Sequence, residues 1–240
     1  MRMHQRHTIV ILGGLCLCIL VALTAVVING NMAHNVTDNN TVSSVSLDSE
    51  GTTHTITSDL SWSIDISSPS VVADQSTNIA IVRIESIDGA NNYSELTNEY
   101  VYPYSYGQMT VLENVKGELP IDEKIEFYKM GGILTPEQHY AGLTEAQKSH
   151  YDDNQLNSLD KFHYSIAGDI DIEVGKTYLA YMKPEQVYYG KPNTYGFTCA
   201  QGGLREVDFQ NDKQRSSGSN TKVLNNFTGE WENLIEVIQN

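Results

Sequence analysis

The chain has 240 residues, with 15 Lys and Arg against 30 Asp and Glu, a formal net charge of −15. A surface this acidic repels phosphate backbones, which excludes nucleic acid as a natural partner. Of the three cysteines, Cys16 and Cys18 lie in one hydrophobic run, so Cys199 stands alone in the remainder and a disulfide framework is excluded there.

Residues 1–30 read as a basic start followed by a membrane segment. Arg2 and Arg6 precede the run IVILGGLCLCILVALTAVVI at residues 9–28, and no further fixed charge occurs before Asp38. At 1.5 Å per residue a helix of that length spans the roughly 30 Å of a bilayer core. The positive-inside tendency keeps Met1 in the cytoplasm and sends the rest of the chain outside. The run is longer than a signal-peptide core and no Ala-x-Ala follows it, so it reads as an uncleaved anchor; if cleaved, the domain is secreted. Residues 31–61, rich in Asn, Thr and Ser, read as a flexible polar stalk, because they offer too little apolar surface to offset the entropy of ordering.

From Trp62 onward the composition is that of a folded domain, residues 62–240. The spacing predicts strands over 78–87, stopped by Asp88-Gly89, then 106–115, 124–130 and 177–182. A closing hairpin is expected from 195–200 and 204–209 around Gln201-Gly202-Gly203. Thr135-Pro136-Glu137-Gln138 and Thr144-Glu145-Ala146-Gln147 both carry capping-box spacing, so one or two short helices are expected between the third and fourth strands. Trp231, Leu234, Ile235 and Ile238 fall on one face of a C-terminal amphipathic helix. The fold class is therefore mainly β (α+β), a small barrel or sandwich with a short helical insertion and a C-terminal helix, preceded by one transmembrane helix.

Four segments, Ile79 to Ile87, VLENVKG at 111–117, IEFYKMGG at 125–132 and VGKTYLAYM at 174–182, follow each other with a long insertion before the last. This order resembles uncharacterised secreted and membrane-anchored bacterial proteins with an OB-like barrel of the netrin/tissue-inhibitor type. The resemblance covers about half of the chain. It implies a compact β-barrel and transfers no active site.

Two patterns carry candidate chemistry. In Asp169-Ile170-Asp171-Ile172-Glu173-Val174, strict alternation sets three carboxylates on one face of a strand; such a face offers Ca²⁺ the oxygen ligands it takes, and it is equally the pattern of a half-solvated strand. Tyr100, Tyr102, Tyr104 and Tyr106 also alternate, and an extended backbone would line them up as an aromatic platform for a partner, although Pro103 points to an edge or loop. His139, His150 and His163 lack zinc-site spacing and read as surface or capping residues. No nucleophile elbow, P-loop or dinucleotide fingerprint occurs. The sequence thus points to a membrane-anchored extracytoplasmic binding or interaction module for an envelope or extracellular protein or polysaccharide. The alternative is a hydrolase of envelope polymers using Asp169, Asp171 and Glu173.

Overall fold

Asp88-Gly89 does not end a strand. In the computed structural model, which describes residues 51–151, 159–185, 193–208 and 221–239, the first long strand continues through it. We label the elements in chain order. Strand β1 is Thr53–Ser58 and helix α1 is Pro69–Gln75. Strands β2 (Asn78–Ser94) and β3 (Glu99–Lys116) form a long antiparallel hairpin. Its register shifts five times, once between Ile87 and Gly89, so the Asp-Gly pair marks a bulge that bends the ribbon. Pro103 lies beyond the stretch of β3 that pairs with the next strand and beside the last of these shifts, where its missing N–H removes no ladder bond.

Strand β4 (Lys124–Met130) leads through Gly131 and Gly132 into β5 (Gly132–Leu134). Gly131 has φ 88°, and a Cβ there would sit 2.8 Å from the carbonyl oxygen of Tyr164, so the corner requires glycine. Helices α2 (Pro136–Ala141) and α3 (Glu145–Lys148) follow, each with both halves of its capping box formed, as their sequence predicts. Next come β6 (Lys161–Ile166), β7 (Thr177–Pro184), β8 (Thr194–Phe197) and β9 (Leu204–Asp208). Strands β10 (Lys222–Leu224) and β11 (Trp231–Asn233) precede helix α4 (Leu234–Gln239).

The domain is mainly β, in two sheets. The larger has the order β11-β10-β9-β7-β2-β3-β4-β8, and β8 pairs back onto β7, so β7, β2, β3, β4 and β8 are joined in a closed ring of pairings. All of these pairings are antiparallel except β4 with β8. Alternation along β2 and β7 divides the core. Ala80, Val82, Ile84, Tyr178, Ala180 and Met182 enter one buried cluster with Met109, Val111 and Phe127. Their neighbours Ile79, Ile81, Leu179 and Tyr181 enter a second, closed by Val72 of α1 and Leu234 and Val237 of α4. The smaller sheet, β1-β6-β5, is half-exposed.

Three further expectations are corrected. Thr53–Ser58, assigned to the stalk, is a strand paired in parallel with β6, its alternate residues half-buried. The hairpin expected around Gln201–Gly203 is not one. β8 and β9 both pair with the same edge of β7, so they form one strand line with an excursion at 198–203, closed by hydrogen bonds from Thr198 N–H to Tyr181 O and from Tyr181 N–H to Gly203 O. At the C-terminus, Trp231 is exposed and belongs to β11, and the helix buries Leu234 and Val237 in place of Ile238. The anchor at 9–28 and the stalk as far as residue 50 lie outside the described residues. Among the described residues no helix is long and apolar enough to cross a membrane.

Candidate functional site

The corner at Gly131, where the chain leaves the larger sheet for the smaller, encloses a cleft of about 350 Å³. Its walls are mainly aliphatic: Ile87 from β2, Ile133 from β5, Ile166 from β6, and Ile170 and Ile172 from the segment between β6 and β7. Ile87 and Ile133 are exposed, so the cleft opens through an apolar mouth.

The polar groups converge on the cleft from three segments. Lys129 of β4 places its Nζ 2.6 Å from Oδ2 of Asp169, and the two side chains are 11% and 5% exposed. The N–H of Ile170 donates to the other carboxylate oxygen, Oδ1, at 2.9 Å. Burial raises the affinity of Asp169 for a proton above that of an ordinary carboxyl, against the pull of the Lys129 charge. Nearer the surface, His163 Nε2 stands 3.5 Å from Oδ1 of Asp171.

The acidic stretch that sequence alternation assigns to a strand is an extended connection with no strand partner. Gly168, at φ 74°, turns the chain as it leaves β6. The alternation survives only in part: Ile170 and Ile172 pack against the first core cluster, whereas Val174 is exposed. The three carboxylates separate, however. Asp169 is drawn inward by Lys129, Asp171 faces His163, and Glu173 pairs with Lys176 at 2.8 Å. Among the described residues no group of three or more His, Cys, Asp or Glu side chains stands close enough to hold a metal ion.

The four tyrosines do not form one open platform. Tyr104 is 2% exposed, its ring centroid 4.6 Å from that of Tyr128 and its hydroxyl donating to Tyr93 O at 2.9 Å. Tyr106 lies beside it, half-buried. Tyr102 crosses to the smaller sheet and donates to Ser165 O at 3.0 Å. Tyr100, 53% exposed, packs edge-on against Tyr93. The register shifts between Ile87 and Gly89 and between Asn91 and Tyr93 interrupt the regular ladder along this part of β3.

Sequence reading missed two groups. Lys129 looks like an ordinary alternating residue of KIEFYKM, and nothing near it in the sequence signals Asp169 as its partner. His139, expected at the surface, is 4% exposed and stacked flat on Phe162 at 3.8 Å. Its two ring nitrogens meet the hydroxyls of Tyr164 at 2.7 Å and Tyr151 at 2.8 Å. Burial lowers its pKa to about 4, so the ring is neutral at physiological pH. Cys199 is buried in the 198–203 excursion, and burial pushes its thiol up to about 11, which leaves almost no thiolate to act as a nucleophile. Asn92 and Asn226 each begin an Asn-x-Ser/Thr triplet, the N-glycosylation acceptor pattern; Asn92 is buried with its amide donating to Gln138 O, and half-buried Asn226 donates to Gln201 O and Leu204 O.

No protein-family model matches the chain, and a search of the curated proteins finds no significant relative.

Proposed function

We propose that this chain is a membrane-tethered extracytoplasmic binding module, anchored by residues 9–28, whose ligand enters the cleft at the Gly131 corner. The observation that carries the reading is the cleft itself, a preformed hollow of about 350 Å³ with an exposed aliphatic mouth and a few polar groups at its base. That is the usual make-up of a small-molecule site. Numbering the ring strands 1 to 5 in chain order, β2, β3, β4, β7 and β8 pair in the order 1-2-3-5-4, with a parallel contact between the third and fifth. This order supports an OB-like barrel, a fold that binds ligands on the face of its second and third strands, and Ser105 of β3 and Lys129 and Met130 of β4 line the cleft. The acidic charge selects against oligonucleotides, and the aliphatic rim suits an apolar body better than a sugar ring. The ligand is thus a small molecule, or a protruding group of an envelope partner, that is aliphatic and not anionic. The hydrolase alternative gains nothing from the geometry, since Asp169, Asp171 and Glu173 each stand beside a separate basic group.

Nile red, an uncharged apolar dye, tests the cleft. Saturable, blue-shifted emission is expected with the full chain in detergent, above a detergent blank. In Ile87→Asp/Ile133→Asp, whose mouth positions are already exposed, the affinity should fall at least tenfold while the far-UV spectrum is unchanged. Equal binding by this variant rejects the cleft. The tether is tested on intact cells, where added protease should release a soluble fragment beginning after residue 28; full protection of the domain rejects the topology.

A further inference from the structure

Lys129 and Asp169 hold, between them, every atom needed for a covalent link. We propose that these two side chains condense to an intramolecular amide that ties β4 to the segment following β6. The balance is closed within the pair: the ammonium of Lys129 and the carboxylate of Asp169 become one amide and one water. The bond formed joins Nζ of Lys129 to Cγ of Asp169, and the bond broken is Cγ–Oδ2. Both ammonium protons released in the process leave with that oxygen.

Four observations support the step, none of which depends on what the cleft binds. The reacting groups are already in contact at 2.6 Å and nearly sealed from solvent, a proximity that in intramolecular reactions is equivalent to very high reactant concentrations. Two opposite charges held away from water are costly, and proton transfer from ammonium to carboxylate gives the neutral amine and acid that react; burial already favours the protonated acid at Asp169. The N–H of Ile170 points at Oδ1, the oxygen that carries negative charge when Nζ adds to Cγ, and so acts as a fixed oxyanion donor. Finally, a void of about 20 Å³, lined by Lys129, Asp169, Phe197, Cys199 and Leu204, lies against the pair. One water needs roughly 10–15 Å³, so the leaving molecule has somewhere to go. The amide would give this domain a covalent staple that its lone Cys199 does not provide.

Tryptic mapping of the purified full chain tests the link. An amide at Lys129 blocks cleavage there, so peptide 125–148 should appear joined to peptide 162–176, lighter by one water than their sum. Asp169→Asn should yield the same joined product, now with loss of ammonia, while Asp169→Ala and Lys129→Arg should yield separate peptides. The unlinked variants should melt on the order of 10 °C below the wild type, by analogy with the loss of a cross-link closing a loop of this length. Complete cleavage after Lys129 in folded wild-type protein, with the two peptides separate, overturns the proposal whether or not any variant folds.

Discussion

The two sheets of this domain are held by different physics. The larger is apolar on both faces: alternate residues of β2 and β7 feed two separate clusters, and Ile81, Val82, Leu179 and Ala180 are almost completely buried. The smaller is half-exposed and held by directed contacts. Tyr164 and Tyr151 bond the two nitrogens of His139, Phe162 stacks on its ring, and Tyr102 reaches across from β3 to Ser165 O. Burial of area is tolerant in detail and depends little on pH. A buried polar network is sensitive to the loss of any one member and to the protonation of its imidazole. The first sheet should therefore respond to truncation and the second to acid.

The largest effect is expected in the larger sheet. Leu179→Ala removes a fully buried side chain between α1 and α4 and should destabilise the domain by about 3 kcal/mol. In urea the midpoint should fall while the slope is retained. A loss below about 1 kcal/mol would show that the site collapses around the gap, and the contrast between rigidly packed and directed sheets would then fail.

This difference also explains what the sequence can and cannot reveal. The larger sheet is legible because area burial writes itself as apolar alternation: the runs 124–130 and 177–182 fall on β4 and β7, and both capping boxes form where expected. Sequence reading fails where long-range pairing decides. Asp88-Gly89 has the local signature of a turn, yet the pairing of Gly89 with Tyr106 makes it a bulge. Thr53–Ser58 has no apolar run, because as an edge strand of the smaller sheet it needs only one half-buried face and a ladder with β6. The site is less legible still. Alternation presents Asp169 as one of three equivalent carboxylates, and its distinction from Asp171 and Glu173 comes from its burial and from Lys129, 40 residues away. His139 takes its place from Tyr151, Phe162 and Tyr164, none of which any spacing rule joins to it.

The smaller effect belongs to that histidine, and its sign follows from the lowered pKa. An unfolded chain protonates a histidine near pH 6.5, whereas folded His139 resists protonation down to about 4. Between these values the unfolded state binds the extra proton, so stability is fully present above about 6.5 and declines as the pH falls toward 4. A tenfold difference in proton affinity is worth about 1.4 kcal/mol, so the loss across the window should be on the order of 3 kcal/mol. Free Asp and Glu carboxyls protonate near pH 4, at the lower end of the same window. The measurement that isolates His139 is therefore the difference between wild type and His139→Phe, which keeps the stack on Phe162 and cannot be protonated. The variant should be less stable at pH 8, where the hydroxyls of Tyr151 and Tyr164 lose their partner, and the gap should narrow as the pH drops toward 4. Amide exchange should show the acid-induced opening first in β6 and β5, with β2 and β7 protected to lower pH. Parallel pH curves for the two proteins would mean that His139 binds its proton equally well folded and unfolded, and simultaneous opening of both sheets would mean that the network and the apolar core unfold together.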